Sequence, residues 1–241
     1  MVTLRGEGWE ARFASSERMA AVEDGSVQAV VCSPPYWDLK DYGHADQIGR
    51  GEPYARYHAR MDRVWAECHR ALRDDGTLWV VVDKVMSKGE VVPIPFHVAQ
   101  RCAALGFTLQ DLVVWNKPTA IAGMTPRSLV NKHETIVVLS KSKRPKLRAG
   151  RLTDLWRVVV KAGSIRKTPD HEAPYPEELI SIILGCATDA GDLVLDPFLG
   201  SGTTAKVAVS MGRRCVGYEV NPDFRPLVEE RMRMTQRKPR P

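Results

Sequence analysis

Leu193-Val194-Leu195-Asp196-Pro197-Phe198-Leu199-Gly200-Ser201-Gly202-Thr203-Thr204 reads as a buried strand that runs into a glycine-rich turn and opens a helix. Glycine lets a ligand come close to the backbone, and the first turn of a helix offers N–H groups that no carbonyl of the helix satisfies. The acid Asp196 closes the strand ahead of the turn. The next apolar run, residues 215–218, ends in Glu219-Val220-Asn221. An acid after a second strand is where a ribose diol is held in dinucleotide-binding folds. A phosphate loop of Walker type needs a lysine that Gly202-Thr203-Thr204 lacks, and the spacing Gly-x-Gly-x-x-Gly is also missing. The ligand described by Asp196, Phe198, Gly200, Ser201, Gly202, Thr203, Thr204, Glu219 and Asn221 is therefore a nucleoside with a cationic or zwitterionic tail rather than a polyphosphate.

Outward from this turn, helices are expected over 202–211, over 176–187 with proline in its first turn, and over 222–234 at the close. Upstream, 27–32 and 77–82 are short apolar runs read as buried strands. Tyr57, Met61, Val64, Trp65, Cys68 and Leu72 recur at helical spacing, which predicts an amphipathic helix over 54–73 ended by Asp75-Gly76. A helix over 95–105 stops at Gly106, and 108–115 and 135–139 are further strands. Strands alternating with helices predict an α/β fold, a mostly parallel, Rossmann-like sheet covered on both faces, in a single domain over 1–241. Residues 117–131 and 141–170 break that rhythm. They hold Pro118, Pro126, Pro145 and Pro169 and read as loops or a small insertion. Ligands of such sheets sit outside the carboxyl ends of the strands, so motifs directly after strands carry the chemistry.

A chain of 241 residues supports one good core, and 44% hydrophobic with 27% charged residues excludes a disordered or collagen-like chain. No run of 18 apolar residues exists to span a membrane, and the first ten residues carry no apolar stretch of a secretory signal. Cys32, Cys68, Cys102, Cys186 and Cys215 are odd in number and widely spaced, against a disulfide framework or a zinc site and in keeping with a reducing cytoplasm. The net charge is +6, and it is concentrated: residues 141–167 hold ten Lys/Arg against the single acid Asp154. A basic stretch of this kind suits a polyanion such as nucleic acid, the alternative being a solvated loop.

The second chemical motif follows the strand at 27–32: Ser33-Pro34-Pro35-Tyr36-Trp37. Two prolines stiffen the backbone, lack N–H groups and push Ser33 and Pro34 to extended angles. A rigid turn then presents a hydroxyl, carbonyl acceptors and an aromatic face. That set suits an exocyclic amino group on a planar base, with hydrogens donated to Ser33 Oγ and the Pro34 carbonyl and with Tyr36 on the ring. A proline-stiffened turn with a packed Tyr and Trp is the structural alternative.

Together the two motifs resemble those of DNA amino-methyltransferases of the beta group, the Ser-Pro-Pro-Tyr type of N4-cytosine and N6-adenine methylases. Ser33, Pro34, Pro35 and Tyr36 match the catalytic tetrad, and Asp196 to Thr204 match the cofactor motif. Catalytic motif first and cofactor motif last is that group's circularly permuted order. The resemblance covers roughly Ala11 to Met232 and implies S-adenosyl-L-methionine as cofactor, a molecule of the form inferred above. It places Pro174 and Tyr175, in His171-Glu-Ala-Pro174-Tyr175-Pro176, at the methionine pocket. It implies an acid near the adenine after the first strand; here Phe13-Ala14-Ser15-Ser16-Glu17 stands there, so Ser15 or Ser16 replaces that acid or Glu17 shifts into the role. Residues 125–134, with Arg127, Asn131, His133 and Glu134, look like a family element near the DNA-facing loops.

The implied reaction is direct in-line methyl transfer to an amino nitrogen, with no cysteine nucleophile, on a base flipped out of double-stranded DNA. Serine at the first position favours cytosine N4, with adenine N6 as the alternative. RNA or protein-amide methylation and a non-catalytic DNA-binding module are remoter readings. Recognition is expected from 141–170, with Lys143, Arg144, Lys146, Arg148 and Arg151 on phosphates, from 117–131, and from Trp37 in the loop after the tetrad. So small an insertion suggests a short site or a homodimer that shares the reading. A cognate restriction endonuclease and a bacterial, archaeal or phage source complete what the resemblance implies.

Overall fold

The computed structural model describes residues 2–118, 129–148, 150–159 and 175–236. Strand β3 (Val27–Cys32) is buried along its whole length. It leads through the amphipathic helix α1 (Tyr54–Ala71) to β4 (Leu72–Val82), which lies parallel beside it. Helix α3 (Glu177–Ala187) feeds β10 (Leu193–Asp196), and α4 (Thr203–Ser210) connects it to the parallel β11 (Arg214–Glu219). β10 also pairs in parallel with β3, Val194 opposite Ala29 and Leu195 opposite Val30. From that pair the chain winds outward in both directions, so the switch point of the sheet lies between β3 and β10.

An N-terminal hairpin, β1 (Val2–Gly6) and β2 (Trp9–Phe13), extends the β11 side, with β2 parallel to β11. On the other side stand β8 (His133–Ser140), antiparallel to β4, then β7 (Thr108–Asn116) and β9 (Leu155–Arg157). The sheet order is β1-β2-β11-β10-β3-β4-β8-β7-β9, mostly parallel as expected. A small hairpin, β5 (Val85–Ser87) and β6 (Glu90–Val92), separates β4 from α2 (Ile94–Ala104).

Alternation along the strands fills two cores. Leu78, Val80 and Val82 pack with Tyr57, Met61, Trp65, Ile94 and Val98 of α1 and α2. Trp79 and Val81 pack on the other face with Leu179, Ile183, Ala205 and Val207, and with Val228 and Met232 of the closing helix α5 (Arg225–Gln236). Burying Trp65 or Leu179 stabilises by about 1.5–3 kcal/mol each.

Three sequence expectations are corrected. The helix expected over 54–73 ends at Ala71, and Asp75-Gly76 lies inside β4, because Leu72 already pairs with Val27. A register irregularity between Val27 and Ala29 absorbs the polar Asp74-Asp75. Part of the basic stretch is a strand, β9, which joins the sheet edge because Trp156 packs on Trp79 at 6.1 Å. The hairpins β1–β2 and β5–β6 also add strands that the helical and apolar periodicities do not announce.

Candidate active site

Asp196 and Ser33 stand at the carboxyl ends of neighbouring strands, at the switch point where ligands of such sheets bind. On the β10 side the glycine turn is held close to β11. The Leu199 N–H donates to the Tyr218 carbonyl at 2.7 Å, and a Cβ on Gly217 would lie 2.6 Å from Leu199. Gly202 caps α4 at φ 85°, a left-handed conformation that glycine takes without strain.

Two carboxylates flank this turn. Asp196 is fully buried; its Oδ1 accepts from the Phe198 N–H at 3.0 Å and its Oδ2 from the Tyr175 hydroxyl at 3.1 Å. Burial pushes its carboxyl up to about 6, against hydrogen bonds that pull it down. The Tyr175 hydroxyl also meets Thr204 Oγ1 at 2.6 Å, and burial followed by the Asp196 charge keeps it a phenol. Glu219 accepts from the Gly200 N–H at 2.8 Å and the Asn221 N–H at 2.9 Å, and burial pushes it up to about 7. Among the described residues neither carboxylate has a cationic partner. Ser201 Oγ is buried without a hydrogen bond, and Thr203 takes one from Arg231. Two buried, uncompensated acids, an orphaned hydroxyl and a helix N-terminus fit a cationic nucleoside and would repel a polyphosphate.

Ser15 and Ser16 follow β2, whose Phe13 pairs with Glu219, so both stand on the same side of the site. Glu17, the other candidate for the adenine side, is engaged by two arginines. Its carboxylate is bound by Arg60 at 2.6 Å and Arg63 at 2.7 Å; burial would raise it, but those hydrogen bonds hold it below the ordinary value. Asn221 caps the turn at Asp223 and donates to the Tyr42 carbonyl at 2.8 Å, which ties the loop after the tetrad over the end of β11.

On the β3 side, Pro34 and Pro35 are buried and the Tyr57 hydroxyl takes the Pro35 carbonyl at 2.9 Å. With the Pro35 carbonyl taken, Ser33 Oγ and the Pro34 carbonyl are the acceptors of the tetrad that face no Tyr57 hydroxyl. Ser33 Oγ lies 3.2 Å from the Tyr36 hydroxyl, which lies 3.2 Å from Glu134 Oε2. Burial, then the Glu134 charge, push the Tyr36 phenol well above its ordinary value. Lys117 and Asn131, at the ends of β7 and β8, join Glu134 and Asp83 respectively. Glu134 has no spacing signal in the sequence, because strand pairing alone brings it to Tyr36. Cys32 is buried and its thiol is pushed up by burial, which removes it as a nucleophile at neutral pH.

The expected DNA contacts separate. Lys146 pairs with Asp189 at 2.7 Å and Asp192 at 2.9 Å, and Arg148 pairs with Asp189. Both acids precede β10, so these cations, with Lys143 and Arg144 beside them, lie at the amino end of the sheet, opposite Ser33. Arg151 lies on the stretch that returns to β9, whose residues pair with the carboxyl end of β7. Trp37 packs its ring on Tyr54 at 4.8 Å and donates Nε1–H to the Glu52 carbonyl at 2.8 Å, which makes it part of the loop's anchorage. Pro174, with Arg127 and residues 160–170, lies outside the described residues.

Comparison with known proteins agrees with this geometry. A family profile described as DNA methylase matches residues 27–230. Type II methyltransferase M.Cfr9I of Citrobacter freundii is 31% identical over 83% of this chain and 79% of its own. M.SmaI of Serratia marcescens is 26% identical over 90% and 87%. TTHA0409 of Thermus thermophilus, described as a DNA modification methylase and solved complexed with S-adenosyl-L-methionine, is 26% identical with a TM-score of 0.70 over 93% of each chain. The cytosine-N4-specific PvuII DNA methyltransferase shares the fold at TM-score 0.76 and 20% identity, over 96% of this chain and 94% of its own. The profile takes in every strand from β3 to β11 and both motifs that meet at β3 and β10, and on that ground the chain belongs to the N6/N4 DNA methylase family.

Proposed function

We propose that this protein is an S-adenosyl-L-methionine-dependent DNA methyltransferase that modifies the N4 amino group of cytosine in duplex DNA. The observation that carries this is the meeting of Ser33-Pro34-Pro35-Tyr36 with the Asp196–Glu219 turn at adjacent strand ends. Bound S-adenosyl-L-methionine supplies an electrophilic methyl group on a sulfonium. Asp196 faces that cationic part, Glu219 with Asn221 takes the ribose side, Ser15 or Ser16 the adenine side, and Tyr175 lines the methionine pocket. An exocyclic amino nitrogen is a poor nucleophile because its lone pair is delocalised into the ring. Ser33 Oγ and the Pro34 carbonyl accept hydrogen bonds from its two N–H groups and localise that pair as the nitrogen–carbon bond forms and the carbon–sulfur bond breaks; the thioether leaves, and the methylated nitrogen then gives up one proton to solvent. Reaching Ser33 requires the base to leave the stack, and Tyr36 supplies the face it lands on. Serine at position 33 supports N4-cytosine over N6-adenine through the resemblance of the tetrad. Recognition is assigned to residues 117–131 and to 141–170, whose strand β9 pairs with the carboxyl end of β7. The type II relatives support a place in restriction–modification beside a cognate endonuclease.

Incubating the purified protein and cofactor with duplex DNA, RNA and protein substrates, then analysing nucleosides by mass spectrometry, tests the assignment. N4-methylcytosine is expected; N6-methyladenine would move the target to adenine, and methylation confined to RNA or protein would overturn the DNA reading.

A further inference from the structure

Tyr36 carries more hydrogen-bond contacts than a stacking platform needs. Its hydroxyl lies 3.2 Å from Ser33 Oγ, 3.2 Å from Glu134 Oε2 and 3.4 Å from the Val81 carbonyl. The other Glu134 oxygen accepts from Lys117 Nζ at 2.6 Å, and the two side chains are only 17% and 16% exposed. A phenol has one proton to give, and a lysine-paired carboxylate and a backbone carbonyl only accept. The Tyr36 proton therefore goes to Glu134 or Val81, and the bond between Ser33 and Tyr36 is made by the Ser33 proton. The lone pairs of Ser33 Oγ are then left for an incoming donor.

We propose that Glu134 is a positioning residue that fixes the polarity of the Ser33–Tyr36 pair, so that Ser33 meets the target amino group as an acceptor. The proposal rests on the amino-methyl-transfer reading above. Lys117 gives it a sharp probe. In Glu134→Gln the lysine, a donor only, claims the amide oxygen and turns the NH₂ group toward Tyr36. That group now donates where the carboxylate accepted, which leaves the phenol proton two acceptors, Ser33 Oγ at 3.2 Å and the more distant Val81 carbonyl at 3.4 Å. Each phenol that turns to Ser33 sets the Ser33 proton against the N–H it should accept from.

The test uses the full chain with Glu134→Gln, Tyr36→Phe and the double variant. The first readout needs no substrate. In protein carrying tyrosine labelled with carbon-13 at Cζ, the Tyr36 resonance, identified by its loss in Tyr36→Phe, moves in Glu134→Gln; an unmoved resonance overturns the proposal. The second is single-turnover transfer with cofactor affinity and Tm measured alongside. Glu134→Gln slows transfer about 10- to 100-fold, the scale of coupling between contacting residues, and leaves cofactor affinity and Tm near wild type. In the Tyr36→Phe background it adds less than about twofold, since the group it acts through is gone. Equal slowing in both backgrounds overturns the proposal. If Glu134→Gln folds poorly, Glu134→Asp withdraws the carboxylate by one methylene but keeps it an acceptor; it should shift the Tyr36 resonance while slowing transfer less than Glu134→Gln, and an unmoved resonance overturns the proposal. A wild-type protein that methylates no amino nitrogen would retire the functional reading, while the NMR readout still decides whether Glu134 holds Tyr36.

Discussion

Ser33 and Asp196 are separated by 163 positions in the chain and by one strand spacing in the sheet, and their environments divide the work. Ser33→Ala removes an acceptor whose hydrogen bond strengthens as the nitrogen changes geometry. Transfer should slow about 100-fold, with DNA affinity little changed, as single-turnover rates and binding titrations will measure. Asp196 and Glu219 are buried acids raised to about 6 and about 7. A raised pKa means the free protein holds protons that a cationic ligand displaces, so cofactor affinity should rise with pH between about 5 and 8, with proton release on binding. Calorimetry in buffers of different ionisation enthalpy checks both, and Asp196→Asn should flatten the lower part of the curve. A wild-type affinity independent of pH would remove both carboxylates from contact with the cofactor.

The loop 38–53 is the element on which the two halves of the site depend. Arg60 of α1 binds Glu17, Glu52 and the carbonyls of Asp46 and Gln47, at 2.6 to 3.0 Å, and its side chain is 12% exposed. Arg60→Ala leaves two half-buried carboxylates without that partner, which costs about 2 kcal/mol after allowance for exposure and lowers Tm by about 4–8 °C. Faster proteolysis within 38–53 should accompany it, and a Tm within a degree of wild type would show the hub to be dispensable. The sequence made the strands and helices around both motifs legible, because β3, β4 and β10 are apolar runs and α1 is strongly periodic. It hid this hub and the contact of Glu134 with Tyr36, because Glu17–Arg60 and Tyr36–Glu134 are contacts 43 and 98 positions apart that only the sheet order creates. It also hid β9, a three-residue strand set in a basic run whose charge outweighed its one buried tryptophan.

At the scale of the whole molecule the sheet has two poles, and charge is distributed between them differently from its distribution along the chain. The basic run begins at the amino end of β4, where the Lys146 N–H donates to the Asp75 carbonyl, and runs past the end of α3, where the Arg148 N–H donates to the Cys186 carbonyl. Lys146 and Arg148 there are answered by Asp189 and Asp192, and the site at the carboxyl ends of the strands is the length of the sheet away, roughly 17 Å for five residues. A phosphate contact releases counterions and contributes about 0.9 to the slope of log affinity against log salt. Cations already paired in the free protein and turned from the site contribute nothing to that slope. Replacing Lys146 and Arg148 together by alanine should therefore lower Tm, by opening the joint between α3, β10 and the run, and leave the salt slope of DNA binding unchanged. Fluorescence anisotropy over a salt series, beside a melting curve, measures both. A slope reduced by about 2 would place DNA across the amino pole and return these two residues to the recognition surface.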